Sequence, residues 1–342
     1  MIDLCGSTLL WRSAEGLAKT TVCVTSYFMS KKILCIDSNH NILHETLQEA
    51  GFQCDLFWDK SKEELIKILQ NYEGLVIRSK FKITKDIIDA CPKLKCIGRV
   101  GAGMENIDVE YAQSKGITCV HAPEGNRDAV AEHTLGMLLM LLNNLKIADA
   151  EVRQGIWKRA ENRGFEIKDK TVGIIGYGNM GSEFAKRLQG FGCKILVYDK
   201  YKQNFGTDFV TETNLEHLQN EADIISIHTP LTDETNYFIN YDFIGAFKKN
   251  IYIINTARGK CLNVADLVSH IKTGKVLGAC LDVLEYESTS FENMDLKMMP
   301  EPMQYLIHSD KVILTPHIAG WTHESNYKMG KIIAEKMIKV LS

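Results

Sequence analysis

At 342 residues the chain is long for one domain and sufficient for two, each with its own core. An apolar content of 45%, a charged content of 24%, six prolines and a net charge of -3 exclude a disordered chain. With no basic tract they also argue against nucleic acid or a membrane as partner. The ten cysteines show neither a C-x-x-C pair nor a zinc-type histidine spacing. They read as small apolar core residues of a reducing compartment, so no metal is expected and a cytoplasmic location fits best.

Residues 1–29 show no sustained period, and their apolar patches are too short to span a membrane. They are expected to form a poorly packed N-terminal extension, with Met29 a candidate start. From Lys31 short apolar runs alternate with helical patterns: "KILCID", "HNILHETLQEAG", "FQCDLF", "SKEELIKILQNY" and "GLVIRS". This βαβαβ rhythm continues through "TKDIIDACP", "LKCIGRV", "VEYAQSKG" and "ITCVHAP", and its short strands imply burial on both faces.

After "HAPEGNRD" the stretch "AVAEHTLGMLLMLLNNLKIADAEV" predicts one long helix, apolar around much of its circumference. Such a helix belongs at a domain junction or a subunit interface. A second αβ series follows, from "TVGIIGYG" to "KVILTPH", and "ESNYKMGKIIAEKMIKVL" closes the chain as an amphipathic helix. The predicted fold class is α/β, with two doubly wound parallel-sheet domains of Rossmann or flavodoxin type and the active site in the cleft between them.

"VGIIGYGNMG" places Gly176, Gly178 and Gly181 in G-x-G-x-x-G spacing between an apolar strand and a helix. The first glycine permits a tight turn, the second lets a pyrophosphate approach the backbone, and the third allows close helix packing. The next strand, "KILVYD", ends in Asp199, at the distance of an acid that binds a ribose 2′-hydroxyl and repels a 2′-phosphate. NAD is therefore the expected cofactor, with Lys200 and Lys202 as groups that could offset the repulsion.

Later strands of this series end in "INTARGK" with Arg258, in "GACLDVLEYES" with Asp282, Glu285 and Glu287, and in "LTPHIAG" with His317. Parallel sheets bind ligands outside these strand ends. An arginine fork holds a carboxylate and polarises a carbonyl, and a histidine exchanges the hydroxyl proton as hydride passes to nicotinamide. A carboxylate beside that histidine stabilises the imidazolium and orients the ring. This combination suits interconversion of a 2-hydroxy acid and a 2-keto acid.

The segments "GRVGAGMENID", "GYGNMG", "HTPLTDET", "NTARG", "GACLDVLEYE" and "TPHIAG" occur in an order that resembles the D-isomer-specific 2-hydroxyacid dehydrogenase family, from about Lys31 onward. The resemblance implies that Arg258 binds substrate, Glu287 supports the histidine and His317 is the acid/base. It also implies NAD contacts from Asn179, Met180, Asp199, Thr229, Pro230, Thr256, Ala257, Asp282 and Gly320. It further implies a discontinuous substrate-binding domain, 30–122 with 320–342, around a cofactor domain of 123–319. A homodimer or dimer of dimers would be built on the long helix.

By the same resemblance Arg78, Arg99, Gly101, Ala102 and Gly103 line the distal end of the substrate, and Arg159 reaches the cleft from a dimer partner. These extra cations point to a phosphorylated acid, oxidised from 3-phosphoglycerate to 3-phosphohydroxypyruvate at the entry to serine biosynthesis. The alternatives are reduction of glyoxylate, hydroxypyruvate or another 2-keto acid, dehydrogenation of erythronate 4-phosphate, and an NAD-sensing binding protein. Two features depart from the family pattern: Ser288 follows Glu287 in place of proline, and the bridge to the histidine strand is long. Glu285 and Glu301 are therefore alternative partners for His317, and the bridge is read as a lid, a dimer contact or a solvated loop. The end of the chain soon after the closing helix predicts no C-terminal regulatory domain.

Overall fold

The computed structural model describes residues 31–59, 61–287 and 299–342. The expected 1–29 extension, Ser288 and the first part of the bridge lie outside the described residues.

The first βα series is laid out as β1 (Lys32–Cys35), α1 (Asn41–Glu49), β2 (Gln53–Leu56), α2 (Lys62–Ile68), β3 (Gly74–Ile77), α3 (Lys85–Asp89), β4 (Cys96–Arg99), α4 (Val109–Ser114) and β5 (Thr118–His121). The five strands are all parallel, ordered β2-β1-β3-β4-β5. The inner runs β1, β3 and β4 are short, apolar and largely buried because helices cover both faces, whereas the edge strands β2 and β5 are only partly buried. Helix starts carry their own signals: Ser61 and Glu64 form a capping box on α2, and Asp108 caps α4.

Next come α5 (Pro123–Leu142) and α6 (Leu145–Arg153). The single helix expected here differs in two ways. It begins earlier, at Pro123, whose missing N–H and preset φ suit a first helical position. It then breaks at Asn143 and Asn144, the latter left-handed with φ 52°, a conformation that asparagine tolerates.

The second series runs β6 (Thr171–Ile175), α7 (Asn179–Leu188), β7 (Lys194–Tyr198), β8 (Thr211–Glu212), α8 (Leu215–Glu221), β9 (Ile224–Ile227), α9 (Tyr241–Gly245), β10 (Ile251–Asn255), α10 (Val264–Thr273), β11 (Val276–Leu281), α11 (Glu301–His308), β12 (Val312–Leu314) and α12 (His323–Leu341). Its seven parallel strands are ordered β12-β11-β10-β9-β6-β7-β8, so the direction of winding reverses between β6 and β9. The described end of the bridge is not a solvated loop. Residues of α11 turn Met303 and Leu306 into the core against Leu267 and Ile271 of α10, and Glu301 is exposed.

Helix α12 packs on the first sheet, where Ile333, Met337 and Leu341 share a core with Ile33, Cys35, Val76 and Cys96. Two strand glycines make that approach possible: a Cβ at Gly98 would stand 2.6 Å from Met337 Sδ, and one at Gly74 2.9 Å from Met337 Cε. Helix α5 lies between the two series. Its Met137, Leu138 and Leu142 pack with Val172, Ile174 and Phe184, while Gly125 meets the backbone of Met329 on α12. No helix among the described residues is long and apolar enough to cross a membrane.

Candidate active site

Because both sheets are parallel, the loops at their strand carboxyl ends collect on one edge of each. An ion pair joins the two edges: Arg258 Nε, after β10, lies 2.7 Å from Glu105 Oε1, after β4.

On the seven-stranded sheet the loop after β6 sits at the winding reversal. Gly176 has φ 95°, and a Cβ there would meet the His228 carbonyl at 2.8 Å. A Cβ at Gly181 would stand 2.0 Å from the Gly176 carbonyl oxygen, whereas one at Gly178 would meet nothing within 4 Å. Two glycines thus close the strand-to-helix turn, and the third leaves open space before the N-terminus of α7, the arrangement a pyrophosphate needs. Gly181→Ala is expected to destabilise the chain by about 1–3 kcal/mol through this overpacking. Denaturant unfolding checks it, and an unchanged midpoint would contradict the packing.

Asp199 follows β7. Its Oδ2 accepts from Tyr177 N–H at 2.7 Å and its Oδ1 from Tyr201 and Lys202 N–H, both at 2.9 Å. Burial pushes this carboxyl up, but the three N–H bonds and the Lys202 charge outweigh it and hold the group below its ordinary value. The neighbouring lysines are engaged elsewhere: Lys200 Nζ pairs with Glu234 at 2.7 Å, and Lys202 Nζ donates to the Tyr177 carbonyl at 2.7 Å. Asn179 and Met180 open α7, and Thr229 and Pro230 follow β9 on the other side of the glycine turn. Thr256 and Ala257 follow β10; Thr256 Oγ1 lies 3.0 Å from Thr134 Oγ1 on α5, and Ala257 N–H donates to Asn255 Oδ1.

His317 is in the turn after β12, with φ 56°. A left-handed non-glycine residue is uncommon and is held only by its surroundings. Asp282, 1% exposed, supplies them. Its carbonyl accepts from His317 N–H at 2.8 Å, and its carboxylate accepts from Thr315 Oγ1, Ile318 N–H and Ala319 N–H at 2.6, 2.8 and 2.9 Å. His133 Nε2 on α5 adds a contact to Thr315 Oγ1 at 3.0 Å. Gly320 lets the turn approach α5, where a Cβ would meet Asn126 Nδ2 at 2.6 Å.

His317 Nδ1 lies 2.7 Å from Glu287 Oε2, and the other Glu287 carboxylate oxygen accepts from Leu284 N–H. This loop packs on that of Arg258, for a Cβ at Gly259 would meet the Leu284 carbonyl at 2.1 Å. Arg258, Glu287 and His317 thus stand on adjacent loops, and Arg258 Nη1 donates to the Ala257 carbonyl at 2.7 Å. Glu285 is drawn instead towards the hydroxyls of Tyr286 and Tyr237.

From the five-stranded sheet, Arg78 follows β3 and Arg99 ends β4. The Arg99 guanidinium lies across Gly101, where a Cβ would stand 1.3 Å from Nη1, and Gly103 faces Arg258 Nη2 and Glu105 in the same way. The Ala102 carbonyl lies 2.6 Å from His121 Nδ1. Burial, with the like charges of Arg258 and Arg78, pulls the Arg99 guanidinium down to about 10 against the opposing effect of Glu105 and Asp37. Arg159 is exposed and makes none of these contacts.

Sequence reasoning missed Glu105 and Asp37, and also Trp321, whose indole lies under the Arg78 guanidinium, 4.6 Å from the ring centroid. Asp37 has a legible signal, since it ends the β1 run as Asp199 ends the β7 run; the other two do not reveal their arginine partners by spacing. No group of three or more metal-ligating side chains occurs among the described residues.

Residues 135–319 match the family described as D-isomer specific 2-hydroxyacid dehydrogenase, NAD binding domain. The chain is 38% identical over 315 residues to a D-3-phosphoglycerate dehydrogenase of Methanocaldococcus jannaschii, covering 91% of this chain and 57% of that one. It is 38% identical over 281 residues to a hydroxypyruvate reductase of Thermotoga maritima, covering 82% and 88%. Thus the chain spans little more than half the length of that phosphoglycerate dehydrogenase. Among solved structures, a D-lactate dehydrogenase of Aquifex aeolicus, in complex with NAD and lactic acid, superposes with a TM-score of 0.75 at 30% identity, covering 91% and 94% of the two chains.

Proposed function

As a member of the D-isomer specific 2-hydroxyacid dehydrogenase family, the chain, we propose, interconverts a D-2-hydroxy acid and its 2-keto acid with NAD. The observation that carries this reading is the 2.7 Å pair of His317 and Glu287 on a loop packed against that of Arg258.

NADH, when bound, supplies the hydride. Arg258 exchanges its Glu105 contact for the substrate carboxylate and polarises the adjacent carbonyl. His317 donates a proton from Nε2 to the carbonyl oxygen in reduction and removes it from the hydroxyl in oxidation, while Glu287 at Nδ1 orients the ring and stabilises the imidazolium. Approach of the two sheets excludes water from the cleft. We divide the chain accordingly into a substrate-binding unit of 30–122 with 320–342 and a cofactor unit of 123–319.

The favoured substrate pair is 3-phosphoglycerate and 3-phosphohydroxypyruvate, supported by Arg78 and Arg99 beside Arg258. Reduction of hydroxypyruvate is the second reading, supported by the Thermotoga maritima relative, of which this chain covers 88%. The exposed Leu145, Val152, Ile156 and Trp157 on and after α6 support a homodimer, and Arg159 lies in the same stretch.

Initial rates of NADH or NADPH oxidation with phosphohydroxypyruvate, hydroxypyruvate, glyoxylate and 2-oxoglutarate test this reading. The highest kcat/KM is expected with phosphohydroxypyruvate and NADH, because ionised Asp199 repels a 2′-phosphate and both nearby lysines are engaged. Hydroxypyruvate as the best substrate would favour the second reading, and no turnover of any keto acid would refute the enzyme assignment.

A further inference from the structure

We propose that Trp321 is a positioning residue that holds Arg78 ready for a second anionic group on the substrate, so that the cleft selects 2-hydroxy and 2-keto acids carrying one. This deepens the preceding reading and rests on it.

The main chain of Arg78 is clamped. Asp37, a buried carboxylate, accepts from Arg78 N–H at 2.6 Å and from Lys80 N–H at 3.2 Å, and Asn106 Nδ2 donates to the Arg78 carbonyl at 3.0 Å. The side chain is held differently. Among the described residues its guanidinium makes no hydrogen bond or ion pair, and it rests over the Trp321 indole, 4.6 Å from the ring centroid. The negative face of an indole attracts a guanidinium while leaving its in-plane N–H donors available to a ligand.

The main chain at Trp321 is held in place, although the residue is 53% exposed. Its backbone N–H donates to the Ile318 carbonyl at 2.8 Å, and the next residue, Thr322, caps α12. Ser325 Oγ adds a bond to the Gly320 carbonyl at 2.7 Å. The indole thus comes from the same turn as His317.

The local charge balance leaves cations over. Of the acids that act on Arg99, Asp37 is occupied by backbone N–H groups and Glu105 by Arg258. Among the described residues, Arg99 Nε is buried with no hydrogen-bond partner. One carboxylate on the substrate matches Arg258; a phosphate or second carboxylate matches what remains.

The test uses Trp321→Ala and Trp321→Phe in the full chain. With phosphohydroxypyruvate or 2-oxoglutarate, whichever is turned over, Trp321→Ala is expected to raise KM about 3- to 30-fold with little change in kcat. The rise for hydroxypyruvate should be much smaller, and Trp321→Phe should retain most of the wild-type affinity. Adding Arg78→Ala to Trp321→Ala should cost no more than Arg78→Ala alone. Equal KM increases for substrates with and without a second anion, or additive effects of the two substitutions, would overturn the inference. If no keto acid is reduced, the reaction reading fails, and titration with inorganic phosphate followed by indole fluorescence still decides the role of Trp321. A saturable change lost in both Trp321→Phe and Arg78→Ala supports it; no change, or one that survives Arg78→Ala, overturns it.

Discussion

His317→Ala is expected to lower kcat by about 10²–10⁴-fold, the range for removing a positioned general acid or base, while leaving NADH affinity unchanged. The imidazole is presented from a left-handed turn that Asp282 holds with its carboxylate and carbonyl, and its Nδ1 is paired with Glu287. Removing the ring deletes the proposed proton carrier and leaves the glycine turn after β6 untouched. Glu287→Gln keeps a polar partner but loses the charge that favours imidazolium, so its kcat should fall between those of wild type and His317→Ala. Steady-state kinetics with an NADH-binding titration separate the effects. A His317→Ala variant as active as wild type on every accepted substrate would refute the assignment.

The second large effect is expected at Arg258. Arg258→Ala should lower kcat/KM by about 10²–10³-fold, comparable with removing one preorganised donor from a developing oxyanion. Arg258→Lys should recover only part of this, because a point charge does not reproduce the guanidinium fork. The Glu105 carboxylate gives the prediction a distinctive form. In Arg258→Ala it stays in the cleft without its 2.7 Å partner and repels an incoming acid. Adding Glu105→Gln should therefore recover part of the KM loss but none of the kcat loss. Full recovery of both would mean that Arg258 acts only as a counterion to Glu105.

Much of the cofactor side was legible in the sequence because its signals are local. Gly176, Gly178 and Gly181 divide their tasks within one strand-to-helix turn, and Asp199 closes the next strand. Backbone conformation and close approach restrict such positions to particular residue types, so a short stretch of chain carries the message. The two βα series were legible for the same reason, since helix caps and buried strand runs are written within each element. The break at Asn144 was not, because asparagine only tolerates the left-handed conformation and does not demand it.

What the sequence by itself determined was therefore the pair of parallel sheets, the glycine turn and the chemical types at the strand ends. The tertiary structure decided which of those types meet. Glu287 rather than Glu285 or Glu301 reaches His317, Asp282 holds the turn that presents His317, Glu105 crosses to Arg258, and Trp321 lies under Arg78. Helical and strand periodicity assign a side chain to a face, but they do not fix the distance between loops far apart in the chain. Those distances are set by how α5 and α12 pack the two sheets together.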